Sequence, residues 1–146
     1  MFWWFCCVVL SSSGESGPES ATIVSGTIWN DDSGNPVHAH GAGVILPDSH
    51  PAGQGGKYYL VGTSQKHGPD WLSGGVNMYS SFDLEHWHFE NEIFRNVSIT
   101  TPLSDGTAYR IERPKVIYNR KTSKYVMYFH LDSPKFGMGM VGVATC

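Results

Sequence analysis

Charge is scarce in this 146-residue chain: Asp, Glu, Lys and Arg make up 16% of it and leave a net charge of −3. Such a balance gives no basic footprint, so nucleic acid is excluded as a partner. Cysteine is equally sparse. Cys6, Cys7 and Cys146 do not make a disulfide framework, and Cys146 reads as an ordinary strand cysteine. No apolar run approaches the roughly 20 residues needed to span a bilayer, so no membrane span is expected. No segment shows an amphipathic helical period either. A hydrophobic content of 40% nevertheless supports a folded core and argues against disorder.

Aromatic residues are plentiful, at 13% with five Trp and seven Tyr. They suit β-sheet packing and also stacking on sugar rings. A pattern of three short β-like runs occurs twice. The first copy is His40–Leu46, Lys57–Thr63 and Val76–Ser81; the second is Arg113–Tyr118, Lys124–His130 and Met140–Thr145. The offset of about 65–70 residues is somewhat longer than usual propeller-blade periods. Repeated sheets bury each other's faces, so neither copy is expected to stand alone.

Residues 1–21 read as a leader and linker. Met1–Leu10 is apolar and Ser11–Ala21 is rich in Ser, Gly, Glu and Pro, a signal-peptide-like arrangement that predicts secretion. Asn96-Val97-Ser98 matches the N-glycosylation sequon, in keeping with that route. From Thr22 onward the chain reads as strands. Thr22–Trp29 is one, followed by the turn-rich Asn30–Pro36. Val37–Leu46, Lys57–Thr63, Val76–Ser81 and a run starting at Trp87 then give a four-stranded antiparallel blade. Blade 1 is thus expected at about 22–95 and an incomplete blade 2 at about 108–146. The glycines of Val37–Leu46 predict close approach of another backbone or a ligand. Ser81 and Asp83 are placed to fix the turn that closes the first blade, with Trp87 as an apolar anchor.

Four segments carry a resemblance: Gly34–Gly43 (GNPVHAHGAG), Tyr58–Gly62, Ser80–Trp87 (SSFDLEHW) and Glu112–Asn119 (ERPKVIYN). In order and spacing they resemble glycoside hydrolase family 43, whose members are five-bladed β-propellers. The pairing of AHGAG with ERPKVIYN resembles the exo-β-1,3-galactanase branch. The resemblance covers roughly residues 22–146 and implies an all-β propeller of four-stranded antiparallel blades, of which about two are present, as an N-terminal part. It also implies an inverting hydrolysis in which one carboxylic acid protonates the leaving oxygen while a base activates water on the opposite face. The substrate implied is a β-1,3-galactan or arabinogalactan-like polysaccharide. The general acid of the family, a Glu on a later blade, lies outside this chain. The Asp base that the family usually carries on the first inner strand is absent as well: that stretch offers His38, His40, Gly41 and Gly43. The galactanase branch shares this absence.

Glu112 read alone is a strand-end partner of Arg113; with the resemblance it becomes a pocket carboxylate able to set the pKa of a partner acid. Arg113 would bind a substrate hydroxyl or hold Glu112, with holding preferred. His38 and His40 alternate and share a strand face. They lack a third ligand at a recognisable spacing, so no metal or other cofactor is expected, and His40 is assigned to a sugar hydroxyl. Trp71, in a loop with His67, Gly68, Pro69 and Asp70, is the first candidate for sugar stacking. Tyr109 is another, with core packing as its alternative. Asp31, Asp32 and Asp132 read as turn residues, with a calcium or rim role left open for the first two and a place at the pocket rim for Asp132. Two further readings stay open: a non-catalytic carbohydrate-binding propeller, and a small β-sandwich serving as an interaction module.

Overall fold

A computed structural model describes residues 22–49, 55–65, 74–101 and 103–146. The described residues form two antiparallel sheets. The first is β1 (His40–Ile45), β2 (Tyr58–Ser64), β3 (Gly75–Ser81) and β4 (His88–Arg95), hydrogen-bonded in that order. The second is β5 (Arg110–Asn119), β6 (Lys124–Asp132) and β7 (Met140–Thr145), likewise in chain order. Short 3-10 turns occupy Pro47–Ser49 and Asn96–Ser98. Among the described elements no helix is long and apolar enough to cross a membrane.

The two sheets stack as consecutive blades. Ile45, Val61 and Val76 of the first meet Ile111, Met127 and Phe129 of the second in one core. Gly142 in β7 leaves room for the Phe129 ring in that layer. The first sheet is buried on its other face too: Leu60, Tyr79 and Trp87 pack there under Val37, Ala39 and Ala42. β2 and β3 are therefore buried almost continuously, as strands covered on both faces must be. β6 and β7 alternate between buried and exposed residues instead. The outward face of the second sheet, with Ile117, Tyr128, Val141 and Val143 exposed, has no cover among the described residues.

The strands fall where the alternation predicts them, except one. Thr22–Trp29 forms no strand. Ile23, Val24 and Ile28 are 54%, 57% and 79% exposed, and no sheet edge among the described residues lies beside them to satisfy their backbone. Before Asn30 the chain is held at single points, the Thr22 amide on Glu85 Oε2 and the Trp29 carbonyl under the Val37 amide; from Asn30 it is bridged at Asn30–Pro36 and Asp31–Trp87. Asp31 Oδ1 accepts from the Ser33 and Asn35 amides at 3.0 and 2.8 Å, and Asp32 pairs with His88 Nδ1 at 2.6 Å. These are turn roles.

The β3–β4 turn is built as its residues suggest. Ser81 Oγ donates to Asp83 Oδ1 at 2.9 Å, and the Glu85 and His86 amides donate to the same oxygen at 2.9 and 2.8 Å. The β5–β6 hairpin uses Asn119 Oδ1, which accepts from the Lys121 and Thr122 amides at 3.0 and 3.2 Å.

The β6–β7 loop is organised by Asp132, which is 2% exposed. Its carboxylate accepts from His130 Nε2 at 2.9 Å and from the amides of Ser133, Met138 and Gly139 at 2.8, 2.8 and 3.1 Å. Burial pushes this carboxyl up, but the His130 and backbone hydrogen bonds together outweigh it and hold the group well below the usual carboxylate range. A carboxyl depressed by folding stabilises fully above its unfolded value of about 4 and loses that contribution as pH falls below it. The thermal midpoint of the protein should therefore fall between pH 5 and pH 3, and fall less steeply in Asp132→Asn, whose midpoint is already lower at pH 7. Parallel slopes in melting scans would rule Asp132 out as a contributor.

Candidate functional site

The two sheets meet through their first strands. Both are irregular at the meeting point: the β1–β2 register shifts between His40 and Gly43, and the β5–β6 register shifts between Glu112 and Lys115. Two bulges thus face one another, and a bulge re-aims the side chains beside it. Gly41 has φ 60° and Arg113 φ 51°, both left-handed. A Cβ on Gly41 would stand 2.7 Å from Arg113 Cγ and 3.2 Å from its Cα, so only glycine fits there. The close approach predicted for the glycines of this strand is made to β5.

His40 precedes the first bulge and Glu112 precedes Arg113 at the second, so the seam brings three of the predicted site residues to neighbouring positions. His40 is exposed and Glu112 half-buried. Neither side chain makes a hydrogen bond to the described residues, and Glu112 forms no ion pair with Arg113 there. The holding role preferred for Arg113 is therefore not realised. Its left-handed backbone turns the side chain toward Gly41, where its Cγ lies. Glu112 instead sits directly across the ladder from His130, close enough for their side chains to interact.

Tyr109 is half-buried just before β5, and its carbonyl accepts from Asn96 Nδ2 at 2.8 Å. The nitrogen of the sequon is thereby engaged in the folded chain. Trp71 lies outside the described residues.

The sequence gives little sign of what fixes His38–His40. The His38 amide donates to Tyr79 Oη at 3.0 Å, Asn77 Nδ2 donates to the His38 carbonyl at 3.0 Å, and Thr63 Oγ1 donates to the His40 carbonyl at 2.8 Å. All three donors or acceptors come from buried positions in β2 and β3. Burial raises the Tyr79 phenol, so it stays protonated and available near neutral pH. Gly62 lets the Ala39 backbone lie directly on β2: any Cβ there would fall on Ala39 carbonyl carbon, Cα and oxygen. Polar residues in otherwise apolar strands were the available signal, since buried polar groups require partners.

An imidazole, a carboxylate and a guanidinium on adjoining strands can hold the hydroxyls of a sugar. A lone carboxylate cannot by itself supply the acid and base of inverting hydrolysis.

The chain is similar in fold and sequence to several solved structures. An exo-β-1,3-galactanase variant from Phanerochaete chrysosporium, solved with β-1,3-galactotriose, is 40% identical over 85% of the chain, with a TM-score of 0.70. An exo-β-1,3-galactanase from Clostridium thermocellum is 34% identical over 85%, with a TM-score of 0.68. A GH43 β-1,3-galactosidase is 32% identical over 87%, with a TM-score of 0.71. The chain spans about a quarter of each of these proteins, at 26%, 24% and 25% of their lengths. No protein-family model and no curated protein matches.

Proposed function

We infer that the chain belongs to the exo-β-1,3-galactanase branch of glycoside hydrolase family 43 and contributes two blades to the propeller of a galactan-hydrolysing enzyme. The observation that carries this reading is the seam: two facing bulges place His40, Glu112 and Arg113 together, in a chain 40% identical to a galactanase over 85% of its residues. The whole protein releases galactose from β-1,3-galactan with inversion. A carboxylic acid beyond the described residues protonates the leaving oxygen, and a water attacks the anomeric carbon from the opposite face. Glu112 lines the pocket and biases the ionisation of that acid. Arg113 and His40 bind hydroxyls, and Tyr109 and Trp71 offer ring surfaces. The leader-like residues 1–21 support secretion, and Asn96 is the candidate glycan acceptor, modified before its amide engages Tyr109.

The test is galactose release from β-1,3-galactan by the full-length protein and its Glu112→Gln variant. We expect kcat/KM to fall by at least about a hundredfold with the thermal midpoint little changed. Unchanged kcat/KM would remove Glu112 from the site. A second reading, a carbohydrate-binding propeller without turnover, is favoured by one observation: residues 37–46 carry His38 and His40 but no carboxylate. Binding of β-1,3-galactotriose without any galactose release would decide for it.

A further inference from the structure

Lys115 is used unusually. Its ammonium donates to the carbonyls of Gly41 at 2.8 Å, Ala42 at 3.2 Å and Pro114 at 3.2 Å. An ammonium has three donors, and here three main-chain oxygens accept from it, with no carboxylate within salt-bridge distance among the described residues. These oxygens belong to the two bulges, where the shifted register leaves the β1–β2 and β5–β6 ladders incomplete. Lys115 thus supplies a donor that the sheets do not, as buried or half-buried carbonyls require. Its stem also needs a glycine opposite: a Cβ on Gly43 would stand 3.0 Å from Lys115 Cδ. The cost is electrostatic. Desolvation, and then the neighbouring Arg113 charge, lower the Lys115 pKa. A cation kept beside another cation, with no counter-ion among the described residues, indicates a geometric role.

We propose that Lys115 is a positioning residue of the sugar pocket: its ammonium clamps the β1 bulge to the β5 bulge and so fixes His40 relative to Glu112 and Arg113. Lys115 acts through Gly41 and Ala42 and does not touch the sugar. The role in the pocket rests on the galactanase reading; the clamp itself does not.

Two measurements on the full-length protein separate them. In Lys115→Met, which keeps the stem and loses the donors, amide hydrogen exchange at residues 40–43 and at Glu112, Arg113 and residue 115 should accelerate about tenfold or more. The rest of both sheets should be unchanged, and Lys115→Arg should restore protection. Wild-type exchange in Lys115→Met would show that there is no clamp. In the same variant kcat/KM on β-1,3-galactan should fall about tenfold, carried by KM, because misplaced hydroxyl ligands weaken ground-state and transition-state binding alike. A merely loosened fold would lower the active fraction, and hence apparent kcat, with KM unmoved; that result would overturn the positioning role. If the wild-type protein releases no galactose, the galactanase reading fails. The positioning role then stands on a tenfold weaker Kd of Lys115→Met for β-1,3-galactotriose, and falls if that Kd is unchanged or the wild type does not bind.

Discussion

Trp87→Ala is expected to cost about 3–5 kcal/mol, a large share of the roughly 5–15 kcal/mol that holds a typical domain folded. The indole is 2% exposed and packs with Leu60 and Tyr79. It lies 6.4 Å from the Trp29 ring. Its carbonyl also accepts from the Asp32 amide at 2.9 Å, so the same residue ties the chain before β1 to the start of β4. Removing the ring leaves a void beneath the Val37–Ala39 segment, and rigid backbone on both sides prevents collapse into it. Trp87→Phe should cost about 1.5 kcal/mol or less. It keeps most of the contact area and removes Nε1, which is buried with no partner among the described residues. Denaturant unfolding of both variants checks this; equal losses would show that the site tolerates collapse.

Gly62→Ala is the second large effect, and it acts on stability and site together. The added Cβ would overlap the Ala39 backbone. That backbone is held on either side by Tyr79, Asn77 and Thr63, so it cannot retreat cheaply. Overpacking of this kind costs about 1–3 kcal/mol and sometimes more; we expect the upper end. Because Ala39 lies between His38 and His40, the shift should also lower kcat/KM on β-1,3-galactan at temperatures where the variant is fully folded, by about tenfold or more. Full activity in a destabilised Gly62→Ala would show that the position of His40 is irrelevant to turnover.

Much of the framework was legible in the residues. Tyr, Val and Leu runs separated by turn formers placed all seven strands, because the two-residue side-chain period and the turn chemistry agree. Thr22–Trp29 misled for the same reason: it alternates like a strand, but a strand exists only where another edge completes its hydrogen bonds. His40, Glu112 and Arg113 are singled out by their motifs. The bulges that bring them together were not, since a register shift depends on which residues of two strands oppose each other. Lys115 was hidden for a related reason. A lysine next to Pro114 reads as a solvent-exposed strand residue, and its three carbonyl partners belong to bulges that pairing alone creates.

The order of the strands has a kinetic consequence. Within each sheet every strand pairs with its neighbour in sequence, so both meanders assemble from short loops. The Lys115–Gly41 contact joins residues 74 positions apart. Closing so long a span costs more chain entropy than any hairpin in the molecule, and non-local contacts of this kind govern the rate at which a chain reaches its native state. The seam between β1 and β5 is therefore expected to be among the last regions to take shape during folding and among the first to open.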